Sequence, residues 1–420
     1  VYARPSNRDP YHLIVNRRSA LTFRSSWAMT GLSHEPMERG IMNRIVIATV
    51  LSISVGALAL ACSATPRPEP LPPEEPTKAL EPTSTPVAPE PPPLQEQPKE
   101  EPQDQSQPAV DAGPPACPEG MKLVEGEYCT EVEQKCLVEW FAPQNKKRVC
   151  EQFEPSTQCV GARVPKRFCI DTYAWPNQAG ARPEVMNNFY QAQVKCAAVG
   201  KRMCTESEWT FACEGPEMKP FPYGYVRDPR KCNGDHQWDG PSMTKVAKRD
   251  PTELARLWRG VPSGSQPHCI SDFGVHDLPG NNDEVVAGEK PGAQFSSVHT
   301  GGPWYSGVRN QCRPKVYTHD EGFYYYFLGF RCCSEPDGQP NETRTPKQVR
   351  ERMKWEVVER LARFSIAEMQ QKLELKKQGQ CTCSERDILC KTMCGTLLGP
   401  NAVDGDDSTR IFNVSRDKIR

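Results

Sequence analysis

Nineteen cysteines are the feature that most constrains how this 420-residue chain can fold. Fourteen lie between Cys117 and Cys333, four lie between Cys381 and Cys394, and the last is Cys62. Their spacings are not the paired CxxC of zinc ribbons, and both groups after Cys62 are even in number. Even parity predicts complete disulfide pairing, because a catalytic or metal-bound thiol more naturally leaves a set unpaired. The sequence therefore predicts an oxidising compartment and leaves the connectivity open.

A segment with the order of a signal peptide precedes Cys62. Met42-Asn43-Arg44 gives a positive start, and the apolar run IVIATVLSISVGALALA that follows is short for a membrane span. The sequence LALAC ending at Cys62 resembles a bacterial lipobox, although its leucine sits one place earlier than usual. We expect a lipoprotein signal peptide over 42–61 and lipidation of Cys62. An ordinary cleaved signal and an uncleaved anchor remain alternatives, and all three export the domain to the cell envelope, facing the periplasm or the cell exterior.

The segments on either side of the signal peptide are not expected to form a core. Residues 1–41 are polar and precede an initiator-like Met42, so we interpret them as a misassigned N-terminal extension. Residues 62–116 are rich in proline and contain almost no aromatic or branched apolar side chain to bury. High proline density favours polyproline II, so we expect a disordered, semi-rigid linker that lifts the folded part away from the lipid surface.

Charge and histidine spacing exclude two classes of partner. Lys and Arg total 52 against 53 Asp and Glu, and no polybasic tract stands out to neutralise a phosphate backbone. We therefore expect no nucleic-acid partner. The seven histidines show no HxxxH or histidine–carboxylate spacing, so they do not predict a zinc site.

Local patterns predict mixed α and β structure. Residues 189–199 read as an amphipathic helix ended by Gly200. Thr205 and Glu208 form a capping-box pattern at the start of a second helix. The aromatic run at 323–327 is suited to stacking on a sugar ring, but a buried strand leading into Gly329 is the favoured interpretation.

Five motifs follow one another in a recognisable order. They are GKRMCTESEWTFACEG at 200, FPYG at 221, FGVHDLPGNNDEV at 273, GGPW at 301 and GFRC at 329. Together they resemble the formylglycine-generating, or sulfatase-modifying factor, family. The resemblance implies an α+β fold over 117–336 that is related to C-type lectins, loop-rich, disulfide-stabilised and calcium-binding.

Specific residues can be carried over from the family. The resemblance implies a disulfide between Cys196 and Cys332 and another between Cys213 and Cys312. It also implies calcium ligands at Asn281 and Glu284, where Asn282 and Asp283 replace apolar and aromatic residues and indicate a remodelled loop. Asn233 and Asp235 are candidates for a second calcium site, with a metal-free turn as the alternative. The remaining domain cysteines have no assigned partner: Cys117, Cys129, Cys136, Cys150, Cys159, Cys169, Cys204, Cys232, Cys269 and Cys333.

The family's catalytic sulfurs have no counterpart here. Active members hold copper(I) with two cysteine thiolates after their G-G-S-W motif, because soft thiolates select that ion. The first position falls on Ser306, the loop before Cys312 is short for the second, and residues 305–311 contain no sulfur. We therefore expect neither copper nor oxidase activity, and we interpret the domain as a binding module for an envelope protein, peptide or glycan. The alternative is an enzyme, either a divergent formylglycine-generating oxidase acting on a cysteine of a sulfatase-like protein or a different oxidation at a relocated site. The vicinal Cys332-Cys333 pair is the candidate for such a site, and separate disulfides to other cysteines are the favoured interpretation of that pair.

The C-terminal segment, 337–420, has its own helical pattern. Pro346 is a good first helical residue, and we expect a helix from there to about Lys377. Its apolar stripe is formed by Val349, Met353, Val357, Leu361 and Phe364. The four tail cysteines can either form two disulfides or clamp a metal, and export favours the disulfides.

Overall fold

The computed structural model describes residues 115–142, 146–305, 307–341 and 354–405. The predicted N-terminal extension, the signal peptide, Cys62 and the start of the predicted tail helix lie outside these residues. Within the described ranges, no helix combines the length and apolarity that crossing a membrane requires.

The described strands form two four-stranded sheets and two short ribbons. One sheet has the order β1–β6–β12–β7 and the other has the order β10–β9–β8–β11, while β2 pairs with β5 and β3 with β4. The strand bounds are β1 Met121–Cys129, β2 Val132–Glu133, β3 Cys136–Phe141, β4 Arg148–Phe153, β5 Gln158–Cys159, β6 Arg163–Asp171, β7 Arg202–Met203, β8 Asp283–Ala287, β9 Ser297–Thr300, β10 Lys315–Val316, β11 Leu328–Gly329 and β12 Cys332–Ser334.

The first sheet is built on a long antiparallel pair. Strands β1 and β6 are in register from Met121 opposite Asp171 to Cys129 opposite Arg163. Strand β12 then lies between β6 and β7, so that Cys333 faces Ile170 on one side. The second sheet contains one parallel pair, β8 with β11. Long loops connect these short strands, as expected for the α+β, loop-rich fold.

The described helices begin at identifiable caps. Their bounds are α1 Phe189–Ala198, α2 Glu206–Glu214, α3 Met243–Ala247, α4 Pro251–Leu257, α5 Trp355–Ala362, α6 Ile366–Lys377 and α7 Ile388–Cys394. Thr205 caps α2 and forms the predicted reciprocal box with Glu208, which satisfies amide donors that a helix start otherwise leaves unpaired. Helix α1 matches its predicted range to within one residue and carries its own capping box.

The aromatic run at 323–327 belongs mainly to the core. Tyr325, Tyr326 and Phe327 are buried, while Phe323 is half-buried and stacks on His319 with ring centroids 3.9 Å apart. The same core contains the edge-to-face pair of Trp258 and Trp304, whose centroids are 5.2 Å apart. The core position of this run is therefore confirmed, but the prediction that it forms a strand is wrong, because regular strand begins only at β11.

The prediction of one helix running to Lys377 is wrong over the described part of the tail. Helix α5 ends at Arg363, which is left-handed at φ +71°, and Ser365 begins α6 with a second capping box. A serine that caps a new helix start competes with continuation of the old helix. The buried face also differs, because Val358 is buried whereas Leu361 is 41% exposed.

The tail is fastened to α1 by a buried charge cluster, which we call the tail clamp: Glu184, Lys195, Lys376 and the carbonyl of Thr392. The Lys195 ammonium donates to Glu184 Oε2 and to the Thr392 carbonyl, both at 2.7 Å. Lys376 donates to Glu184 Oε1 at 2.9 Å. Gly395, at φ +71°, passes so close to Glu184 that a Cβ there would overlap the carboxylate. The clamp therefore joins the tail to the domain through the buried Glu184 carboxylate and Lys195 ammonium, while the Lys376 side chain is partly exposed.

We expect Glu184→Gln to lower the free energy of unfolding by about 3–5 kcal/mol, because it leaves the buried Lys195 ammonium without its counter-ion. Urea denaturation monitored by tryptophan fluorescence measures the change. Lys377→Gln is the matched control, since its ion pair with Glu374 is exposed on both sides and should leave the midpoint unchanged. Equal midpoints for Glu184→Gln and the native chain would show that the clamp contributes nothing to stability.

Candidate functional site

The segment from Gly301 to Cys312 connects β9 to β10 and contains the position that aligns with the family's copper-binding cysteines. Ser306 itself lies outside the described residues. The sequence places no sulfur between Tyr305 and Gln311, and Cys312 forms a disulfide with Cys213. We call residues 301–312 the site loop.

A buried ion pair holds the site loop against β8. Arg309 Nη2 lies 2.5 Å and 2.6 Å from the two carboxylate oxygens of Asp283. The Gly302 amide donates to the same carboxylate at 3.2 Å. Asp283 is fully buried, and burial raises the pKa of its carboxyl while the guanidinium opposes that rise. The ion pair thus holds the loop in place, and removing Arg309 would leave the buried Asp283 carboxylate without a counter-ion.

A second buried pair holds the same loop from the other side. Arg227 pairs with Asp235 and donates through Nη1 to the Gly307 carbonyl at 2.9 Å. The Asn310 amide donates to three successive carbonyls, those of Gly301, Gly302 and Pro303, at 3.0–3.3 Å. Guanidinium and amide donors cannot ligate copper(I), which needs soft electron-pair donors. The described part of the loop is therefore equipped for hydrogen bonding and not for soft-metal binding.

Every cysteine among the described residues is paired. The structure places Cys196 with Cys332 at an S–S distance of 2.02 Å and Cys213 with Cys312 at 2.04 Å, which are the two pairs that the family resemblance implies. Cys333 bonds to Cys204, so the vicinal cysteines are bridged separately. The other pairs are Cys117–Cys169, Cys129–Cys159, Cys136–Cys150, Cys232–Cys269, Cys381–Cys394 and Cys383–Cys390.

Glu284, one of the residues named as a calcium ligand, is used in a different way. Both of its carboxylate oxygens accept from the Arg331 guanidinium at 2.8 Å, and Trp209 Nε1 donates to Oε2 at 2.9 Å. Glu284 and Arg331 are both buried. A divalent cation at this carboxylate would face a buried guanidinium, so the position does not fit calcium.

The other candidate calcium ligands are also engaged by donors. Asp235 is occupied by Arg227. Asn233 donates to the Asn281 amide oxygen at 3.0 Å, and that oxygen also accepts from the Val261 amide at 2.8 Å. The structure therefore brings Asn233 and Asn281 together in one hydrogen-bonded network. In this arrangement the four candidates do not form a calcium site, since calcium requires several free oxygen ligands.

Comparison with known proteins identifies the domain. Residues 150–336 match the family model of the sulfatase-modifying factor enzyme 1-like domain. The chain contains a sulfatase-modifying-factor-like domain. The family match confirms the resemblance and the α+β, C-type-lectin-like fold that it implies.

Two curated relatives resemble this sulfatase-modifying-factor-like domain. The protein named inactive C-alpha-formylglycine-generating enzyme 2 from Bos taurus is 32% identical over 168 residues, covering 38% of this chain and 52% of that protein. The Mus musculus protein of the same name is 30% identical over 196 residues, covering 43% of this chain and 58% of that protein. The chain thus spans little more than half the length of these relatives.

Solved structures also resemble the sulfatase-modifying-factor-like domain. CarF is 13% identical with a TM-score of 0.34, covering 52% of this chain and 99% of CarF. PvdO from Pseudomonas aeruginosa is 17% identical with a TM-score of 0.30, covering 53% of this chain and 100% of PvdO.

Arg227 and Arg309, the two arginines that contact the site loop or belong to it, were not identified from the sequence. A signal was present, because Asp283 stands where the family has an apolar or aromatic residue. A carboxylate introduced into a buried loop requires a nearby cation, and Arg309 is the cation that the site loop supplies. The sequence could therefore have predicted a compensating arginine, although not which one.

We expect added calcium to leave the melting temperature of the protein unchanged, because Glu284 and Asp235 are already neutralised by guanidinium groups. The measurement is thermal unfolding in excess EGTA and again in millimolar calcium. Magnesium at equal ionic strength is the control for non-specific ion effects. A calcium-specific rise in melting temperature that Asn281→Ala abolishes would show that these residues do bind calcium.

Proposed function

We propose that this chain is an exported, lipid-anchored protein whose sulfatase-modifying-factor-like domain recognises a protein, peptide or glycan of the cell envelope without catalysing formylglycine formation. The signal-peptide pattern before Cys62 and the proline-rich linker at 62–116 support the anchor and the reach. A membrane-tethered module on a semi-rigid spacer samples a restricted volume near the surface, which favours partners that are also fixed in the envelope.

The observation that carries the proposal is the chemistry of the site loop. Its sequence has no sulfur between Tyr305 and Gln311. The ion pairs of Arg309 with Asp283 and of Arg227 with Asp235 hold it in place. An oxidation with copper(I) needs two free thiolates close together. A loop fixed by hydrogen bonds is instead suited to present a constant surface to a ligand, since little ordering is needed on binding.

The pairing of cysteines and the names of the relatives support the same proposal. All cysteines in the described ranges are in disulfides, including the vicinal Cys332 and Cys333. Both curated relatives carry the word inactive in their names. The rival function, a divergent oxidase acting on a cysteine of a sulfatase-like protein, has no specific observation in its favour here.

We expect alkylation of the unreduced exported protein under denaturing conditions to label no cysteine, because each sulfur of the folded region is cross-linked. Mass spectrometry of the intact and digested protein makes the measurement. The same sample should bind no stoichiometric copper(I) and should not oxidise a cysteine-containing sulfatase peptide. Two labelled thiols together with one bound copper equivalent per chain would contradict the proposal and favour the oxidase.

For the recognition itself, we expect contacts from the partly exposed residues of the site loop, which are Tyr305, Val308, Arg309 and Gln311. We expect Arg309→Gln to weaken binding to the best ligand of an envelope-glycan array and peptide library by at least about ten-fold, which is about 1.4 kcal/mol. Arg148→Gln is the control, since its pair with Glu139 is exposed on both sides. Melting temperatures of both variants show whether the fold persists. Unchanged affinity in a folded Arg309→Gln variant would place recognition elsewhere.

A further inference from the structure

Four cysteines of the tail lie in one small region, which we call the tail cysteine cluster: Cys381, Cys383, Cys390 and Cys394. The first two lie in the loop after α6, and the last two lie one turn apart on α7. Residues four apart on a helix share a face, so the sulfurs of Cys390 and Cys394 point toward the same loop. Asp387 caps α7 and fixes the start of that helix by accepting from the Cys390 amide at 2.9 Å.

The two disulfides of the cluster are in contact with each other. Cys381 bonds to Cys394 and Cys383 bonds to Cys390, yet Cys383 Sγ lies only 3.5 Å from Cys394 Sγ. Cys390 Sγ lies 4.0 Å from Cys394 Sγ. A zinc ion bound tetrahedrally at about 2.3 Å holds its sulfur ligands about 3.8 Å apart. Two non-bonded sulfur separations, those from Cys394 to Cys383 and to Cys390, are therefore close to the separation between thiolates on one zinc ion.

The cluster is distinctive among the described residues. Over those ranges, Cys383, Cys390 and Cys394 are the one group in which at least three histidine, cysteine or carboxylate ligand atoms lie within 4.8 Å of one another, and Cys381 is bonded to Cys394. The Lys372 ammonium lies 3.6 Å from Cys390 Sγ. A zinc ion with four thiolates has a net charge of about −2, and a neighbouring ammonium offsets part of it. Cys381 and Cys383 are half-buried, which leaves the cluster accessible to a reductant.

We propose that the tail cysteine cluster binds one zinc ion through four thiolates when its two disulfides are reduced. A dithiol reduces each disulfide by transferring two electrons and two protons and itself becomes a disulfide, whereas a phosphine becomes a phosphine oxide with water supplying the oxygen and the two protons. Either reaction breaks the S–S bond and gives two thiols. Binding of Zn²⁺ then releases the four thiol protons to solvent and forms four Zn–S bonds. No oxidation or reduction accompanies the metal-binding step.

The site has a structural consequence for the tail clamp. Thr392 lies between Cys390 and Cys394, and its carbonyl accepts from the buried Lys195 ammonium. Opening both disulfides without a metal frees the loop from α7, whereas zinc reconnects the same four sulfurs. The cluster thus keeps α7 positioned against Lys195 in the oxidised state and in the reduced, zinc-bound state.

The test uses the full exported chain after limited reduction with a phosphine under anaerobic conditions. Peptide mapping by alkylation first establishes that the tail disulfides are open. Zinc bound per chain is then measured by competition with a chromophoric chelator, and cobalt(II) substitution reports tetrahedral thiolate coordination by visible absorption. We expect one zinc equivalent for the native chain and an affinity lower by more than about 100-fold for Cys383→Ser/Cys390→Ser.

The matched control is Cys136→Ser/Cys150→Ser, which removes one disulfide outside the tail, with a sequence separation of 14 residues. It should retain the zinc equivalent and the cobalt spectrum. Equal zinc binding by the native chain and the tail variant would overturn the proposal, as would loss of zinc in the control variant with the tail intact. These reduced samples are separate from the unreduced protein used to test recognition, so the two proposals fail independently.

Discussion

The tripeptide Arg331-Cys332-Cys333 connects the main parts of the domain. Successive residues of a strand point to opposite faces, so Cys332 reaches Cys196 on α1 while Cys333 reaches Cys204 ahead of α2. Arg331 extends to Glu284 on β8 and so joins the two four-stranded sheets. Because short strands and long loops bury little apolar surface, these cross-links do much of what a larger core does elsewhere.

The site loop depends on this framework. Glu284 and Asp283 are neighbours on β8, and each is neutralised by an arginine that is distant in sequence. A buried carboxylate with no partner costs several kcal/mol, so the replacement of a family aromatic residue by Asp283 is tolerable only with Arg309 in the loop. The site loop is therefore held by a charged and hydrogen-bonded contact to β8.

The sequence predicted the features whose causes are local, such as the capping box of Thr205 and the extent of α1. The family resemblance supplied the two long-range pairs involving Cys196 and Cys213. It did not indicate how the implied calcium ligand Glu284 is engaged, because the motif identifies the residue while Arg331, which donates to it in the structure, lies 47 residues away. The even number of cysteines after Cys62 predicted that all of them are paired, but it could not predict which cysteine pairs with which. The break at Arg363 was missed because the apolar periodicity continues past it while the capping serine acts only over one turn.

The tail shows how a segment outside the matched residues 150–336 can become part of the core. Its described cysteines bond only to one another, so its attachment to the domain is non-covalent. The two internal disulfides restrict the 381–394 region before it docks, which reduces the entropy lost when Thr392 is placed on Lys195. Apolar contacts such as Val358 and Met393 then supply the burial that the charge cluster alone does not. Docking of the tail is thus a balance between a preorganised, cross-linked turn and the desolvation of Lys195 and Glu184, and only the combination gives a stable interface.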